Sequence, residues 1–281
     1  MLPALLFALG LAFAPPVWAQ DKAAARVAKA EAARYDNPQQ AALLKKQIAA
    51  LAPQKQGVTD IYVVGVAGWA GQDVFRNELA GALAALDKTL PLRGTVRLIN
   101  NPDTAKTIPL ASRPNFAAAV RALAGVMDRE EDVLLIFMTS HGVKEGFGLQ
   151  LPTMLLRFSP QEVAGILKKA GIKNRVVIVS ACFSGVFVKP LVNEDTIVLT
   201  ASDAKSPSFG CANGRDWTYF GDALFNQSLK PGTDFQNAYR HTRGLIEGWE
   251  KRDKLVPSNP QAHFGAALVR KLEPLFASKA Q

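Results

Sequence analysis

From Gly57 onward the chain alternates short, almost wholly apolar runs with longer stretches of helical period, and that alternation restricts the possible folds more than any other feature. The runs are Ile61 to Val66, Val96 to Ile99, Val133 to Met138, Arg175 to Ser180 and Thr196 to Ala201. Strands that lack a polar face must be covered on both sides, and the helical stretches between them supply the cover. Helices are predicted over about Asp73 to Leu86, Asn115 to Met127, Tyr219 to Leu229 and Phe235 to Lys251. A further helix opens at Ser159-Pro160, where Glu162 completes a capping box, and stops near Gly171. Strand, helix, strand in repetition predicts an α/β fold, with a mostly parallel central sheet flanked by helices on both faces.

Before Gly57 the texture changes. Residues 20 to 56 are rich in Ala, Lys, Glu and Gln, which predicts a polar, partly amphipathic helical N-terminal arm rather than a buried element. Residues 1 to 19, MLPALLFALGLAFAPPVWA, combine an apolar run, a Pro-Pro break and a small-residue cleavage site after Ala19, the pattern of a signal peptide. The run is shorter than the roughly 20 residues that a spanning helix needs. The expected organisation is therefore a leader over 1–19, the arm over 20–56 and one domain over 57–281. Export is expected, to the periplasm if the cell is Gram-negative and with no stable membrane insertion after cleavage. An uncleaved membrane anchor is the alternative.

The formal net charge of +9 falls entirely after residue 19. Basic pairs such as Lys45-Lys46 and Lys168-Lys169 never grow into a tract with interleaved aromatics, so a solvated basic surface is expected and no nucleic-acid partner. Three histidines and two cysteines, without C-x-x-C or H-E-x-x-H, carry no metal signature, and no cofactor is expected.

Chemistry concentrates at two strand ends. In open α/β sheets the working groups gather at the carboxyl ends of parallel strands. The run Val133 to Met138 leads into Thr139-Ser140-His141-Gly142, and the run ending at Val179 leads into Ser180-Ala181-Cys182. One helix and a short extended excursion separate them, the length of a right-handed crossover between neighbouring strands. Adjacent strands lie about 4.8 Å apart, which brings a histidine and a cysteine at one edge to about hydrogen-bond reach. Cys182 is thus a candidate nucleophile and His141 its base. Two plainer roles for the cysteine remain open: a small buried hydrophobe, or a disulfide with Cys211. Ser184 is a poor hydrolase nucleophile, because G-x-S-x-G requires glycine where Cys182 and Val186 stand. His241 and His263 are expected in surface or packing roles.

The His-Gly and Ala-Cys-x-Ser-Gly pair resembles the legumain-type (asparaginyl endopeptidase) cysteine peptidases. The likeness includes "VVGVAGWAGQDVFRNELAGAL", "TASDAKSPSFGCANGRDWTYFGDALF" and the "SNPQ" motif of bacterial members, and spans about Thr59 to Leu268. The resemblance implies a caspase-haemoglobinase α/β sandwich and a peptide or protein substrate. It also implies Cys182 as nucleophile, His141 as general base and acid, and the N–H groups of Gly142 and Cys182 as oxyanion hole. Where the family places an asparagine to orient the histidine, this chain reads Gln72-Asp73-Val74. For the substrate pocket it implies Arg76, Ser208 and Asp222, with Ser180 where asparagine-cutting members carry an acid, so a less negative pocket is expected. The function expected is an exported cysteine endopeptidase. A transpeptidase using the same dyad and a catalytically silent peptide-binding domain are the alternatives.

Overall fold

The computed structural model describes residue 26, residues 38 to 151 and residues 154 to 278; the expected leader lies outside them. Five parallel strands make up most of a six-stranded sheet: β1 (Ile61–Ala67), β2 (Leu92–Ile99), β3 (Val133–Thr139), β7 (Asn174–Ser180) and β8 (Thr196–Thr200). A sixth, β9 (Gln261–Phe264), pairs antiparallel with β8. The order across the sheet is β2-β1-β3-β7-β8-β9. Between β3 and β7 lies a separate antiparallel sheet of β4 (Gly142–Val143), β5 (Gly146–Leu151) and β6 (Met154–Phe158). The expected mostly parallel α/β architecture is what forms. β9 and the small sheet are additions to it.

Alternation along the strands divides the core in two. Tyr62, Val64, Val66, Leu134, Ile136, Met138, Val177 and Val179 face one side. Helices α1 (Pro38–Ala49), α3 (Arg113–Val126) and α4 (Pro160–Ala170) lie over that side, through Leu44, Phe116, Val120, Val163 and Leu167. Ile61, Val63, Val133, Leu135, Phe137, Val176 and Ile178 face the other. There α2 (Val74–Thr89), α5 (Phe235–Arg252) and α6 (Ala266–Ala277) cover them, through Phe75, Leu79, Phe235, Ile246 and Leu272. The start and stop of α4 follow the expected chemistry. Ser159 Oγ accepts from the Glu162 N–H at 3.2 Å, the Glu162 carboxylate accepts from the Ser159 N–H at 2.8 Å, and Gly171 closes the helix at φ 68°.

The stretch that becomes α1 is helical and mostly exposed or half-buried, and it docks on the domain through its two buried residues. Leu44 is 5% exposed, and Gln40, at 4%, accepts from the Leu110 N–H at 2.8 Å and from Asn115 Nδ2 at 3.0 Å. On the next turns the Gln47 side-chain amide donates to the Arg97 carbonyl at 2.9 Å and accepts from the Arg97 N–H at 2.8 Å. A side-chain amide can do for a strand what a neighbouring backbone does. Composition indicates a partly amphipathic helix but not which groups its polar side chains meet.

Candidate active site

The parallel register of β3 and β7 fixes the geometry. Thr139 stands opposite Ser180 as the last pair of that ladder, and the Ser140 N–H donates to the Ser180 carbonyl at 3.2 Å. His141 and Cys182 each lie two positions beyond that pair, at the same edge of the sheet. The chain turns at once after the cysteine. Phe183 adopts the left-handed conformation at φ 57°, and Ser184–Phe187 form a single 3₁₀ turn. A bulky residue held in that region stores strain that a purely structural turn could avoid with glycine.

His141 is held on three sides. Its Nε2–H donates to Gln72 Oε1 at 2.8 Å. The rings of Trp69 and Phe75 meet it edge-on, with centroids 4.7 Å and 5.1 Å away. Because a carbonyl oxygen only accepts, Nε2 carries the proton and Nδ1 is the basic nitrogen. Burial lowers the pKa of the ring, which favours neutral imidazole, the form able to take a proton. Behind the histidine, its carbonyl accepts from the Gly148 N–H at 2.8 Å, and Ser140 Oγ donates to the Gly148 carbonyl at 2.8 Å. The small sheet therefore buttresses the strand end that carries His141.

Cys182 sits against Ser208. The Ser208 N–H donates to the Cys182 sulfur at 3.2 Å, and the thiol lies 3.4 Å from the Ser208 carbonyl. Both cysteines are free thiols. Burial, then the nearby charges of Cys182 and Glu78, push the Cys211 thiol up to about 12, which leaves it a poor nucleophile at neutral pH. Among the described residues no backbone carbonyl accepts from the Cys182 N–H. Gly142 packs so closely that a Cβ there would lie 2.1 Å from the Cys182 carbonyl oxygen. The two strand ends thus touch through backbone, at the position where the resemblance implies an oxyanion hole.

The residues expected around the substrate are dispersed in their contacts. Arg76 pairs with Asp103 at 2.8 Å and donates to Asn101 Oδ1 at 3.2 Å. Asp222 accepts from Asn226 Nδ2 at 2.8 Å and Gln227 Nε2 at 3.2 Å. Ser180 is buried and donates to Glu78 Oε1 at 3.1 Å. The carboxyl of Glu78, from α2, therefore lies behind position 180, itself fully buried. His241 bonds Ser228 Oγ at 3.1 Å, and His263 bonds the Asn193 carbonyl at 2.8 Å, both remote from the dyad in sequence and in partners.

Four residues here were not singled out from sequence for these contacts: Gln72, Trp69, Phe75 and Glu78. Gln72 marked a departure from the family pattern, yet its amide supplies the same type of acceptor. Glu78 carried a readable signal, since it falls on the apolar stripe of α2 with Val74, Phe75, Leu79, Ala82 and Leu86. Among the described residues no cluster of His, Cys, Asp and Glu could hold a metal ion, and no helix is long and apolar enough to cross a membrane.

A histidine and a cysteine leave neighbouring parallel strands at one edge of this α/β sandwich, and the match to a peptidase family model over more than half of the chain makes the protein a cysteine-type peptidase, a hydrolase. The chain belongs to the Peptidase C13 family, whose model matches residues 115–266, and the resemblance to the legumain-type peptidases is borne out. Among solved structures the chain is similar to caspase-1 from Spodoptera frugiperda, at 13% identity and a TM-score of 0.48, over 76% of this chain and 88% of that one. A search of curated proteins finds no match.

Proposed function

We propose that the chain is an exported cysteine endopeptidase in which Cys182 is the nucleophile and His141 the general base and acid. The observation that carries this reading is the Thr139–Ser180 register, which sends both residues out of one sheet edge. In the first step the thiol proton passes to His141 Nδ1 as the sulfur bonds to the carbonyl carbon of the substrate. The carbonyl electrons move onto oxygen, and the Gly142 and Cys182 N–H groups are the proposed donors to that oxyanion. Such donors are each worth roughly 3 kcal/mol in the transition state. Collapse expels the amine, which takes the proton from His141. Water then attacks the thioester, giving its proton to His141, and the sulfur leaves and recovers it. Gln72 keeps the ring turned so that Nδ1 is the nitrogen in use throughout.

Labelling with a peptidyl thiol-directed probe, read by peptide mass, tests the assignment together with digestion of a peptide library. Wild-type protein is expected to be modified at Cys182 and to cleave within peptides. Modification of Cys211 in its place overturns it. Addition of an amine nucleophile separates hydrolysis from transpeptidation by the products formed. Export rests on the sequence of residues 1 to 19, and intact mass of the secreted species decides it: a chain that retains Met1 refutes cleavage after Ala19.

A further inference from the structure

Glu78 has no exposure to solvent, yet its carboxyl collects hydroxyl donors from three parts of the chain. Thr139 Oγ1 donates to Oε2, Ser180 Oγ donates to Oε1 at 3.1 Å, and Thr218 Oγ1 donates to Oε1 at 2.6 Å. Thr139 ends β3 two residues before His141, and Ser180 ends β7 two residues before Cys182. Thr218 caps the short helix Tyr219–Gly221, which runs into the π-helical segment Asp222–Ser228. Gly221 closes the remaining side, where a Cβ would come within 1.8 Å of Oε1. The strand ends that carry the dyad are joined by their ladder and again by this one side chain.

We propose that Glu78 is a positioning residue for the dyad: its carboxyl ties the ends of β3 and β7 to the segment before Asp222, and its protonation state sets the spacing of His141 and Cys182. The proposal rests on the cysteine-peptidase reading above. A carboxylate can accept from all three hydroxyls at once. A protonated carboxyl must also donate, so one hydroxyl has to reverse, and one tie between the strand ends is remade or lost. Burial pushes the carboxyl up to about 7, against the opposing hydrogen bonds from Thr139, Thr218, Ser180 and the Gly221 backbone. The rearrangement therefore falls near neutral pH. No ion pair reaches Glu78 among the described residues. The ionisable groups on the elements around it are His141 beyond β3, Cys182 beyond β7, Cys211, Arg215 and Asp216 before Thr218, Tyr219 on the short helix, Asp222 in the π-helical segment, and Arg76, Asp87 and Lys88 on α2. Of these, Cys211 feels the charge of Glu78 directly.

The pH profile tests this, measured in the full chain both as kcat on a library-selected peptide and as the rate of probe modification at Cys182. Wild-type activity is expected to fall on the acid side of an inflection near pH 7, in kcat more than in KM. Thr139→Val and Ser180→Ala each remove a hydroxyl that holds the carboxyl down, so each moves the inflection to higher pH. Glu78→Gln removes it, with kcat lowered by up to roughly a hundredfold, as small misplacements of reacting groups do. Should Glu78→Gln fail to fold by thermal melt, the shifts in the two hydroxyl variants decide alone. An inflection that stays in place in every folded variant overturns the proposal. Absence of labelling at Cys182 in the wild type at every pH overturns the dyad reading, and this proposal with it, which keeps the two failures apart.

Discussion

Gly142→Ala should separate the two catalytic strand ends with a single methyl group. The added Cβ would sit 2.1 Å from the carbonyl oxygen of Cys182 and 3.1 Å from the Ala181 Cβ. Ordinary van der Waals contact begins at 3.4 Å, so the shortfall to the oxygen is 1.3 Å (3.4 less 2.1). The obstacle is the backbone of the nucleophile itself, held between the β7 ladder and the 3₁₀ turn, and no flexible side chain can move aside. Overpacking of this kind costs about 1 to 3 kcal/mol. For a domain of this size each kcal/mol lowers Tm by roughly 2 to 4 °C, so a fall of roughly 2 to 12 °C is expected. Displacement of the histidine from the thiol by about 1 Å costs roughly a hundredfold in rate. The assay is kcat/KM on a fluorogenic peptide chosen from the library, with a thermal melt on the same samples. Gly125→Ala on α3 is the control, because a Cβ there meets nothing within 4 Å. It should gain up to about 1 kcal/mol in stability and leave the rate alone. A Gly142→Ala protein with wild-type rate and Tm would refute the close approach on which the site depends.

Cys182→Ala and His141→Ala should each abolish peptide cleavage while Cys211→Ala keeps most of it; loss of activity on changing Cys211 but not Cys182 reverses the assignment. Gln72→Ala leaves the His141 Nε2–H without its acceptor and the ring free to turn. It should lower kcat by roughly tenfold to a hundredfold, as loss of an orienting partner does for other functional histidines, and an unchanged kcat in a folded variant rules Gln72 out. Stability should fall as pH rises from 4.5 to about 7, because folded Glu78 keeps a proton that the unfolded chain has released in that window. The contribution is present as extra stability below pH 4.5 and gone above about 7. Urea unfolding at pH 5 and pH 8 measures it, and a difference between the two that is the same in Glu78→Gln assigns the effect elsewhere.

Much of the architecture was legible because the central strands are buried on both faces and announce themselves as unbroken apolar runs. The proposed dyad rests on a related pattern. A reactive side chain immediately after such a run can only leave the sheet at its carboxyl edge. α4 was legible at both ends, since Ser159, Pro160, Glu162 and Gly171 each have a local reason to stand where they do. Other parts depended on partners distant in sequence. β9 spans Gln261–Phe264 and is a strand because β8 offers it an edge. The hairpins of β4 to β6 are rich in glycine, which weakens any strand signal, and they are fixed by bonds such as the Gly68 carbonyl accepting from the Gln150 N–H at 2.8 Å. The docking of α1 was hidden because Gln40 is polar and buried, satisfied by groups 70 and 75 positions away. Glu78 was the converse, a charged residue on an apolar stripe, where periodicity indicates burial but cannot identify the hydroxyls that await it.

The pairing of Gln47 with Arg97 bears on solubility. β2 is the outermost strand of the sheet on its side, and an open strand edge is a template onto which another chain can add. With the Gln47 amide filling both the N–H and the C=O of Arg97, and α1 packed beside β2, that template is interrupted at Arg97. Proteolytic removal of α1 would leave the ladder of β1, β3 and β7 and the dyad in place while opening the β2 edge. The trimmed protein is therefore expected to remain competent when dilute and to self-associate as concentration rises, with the helix ahead of the domain serving as a guard against edge-to-edge aggregation.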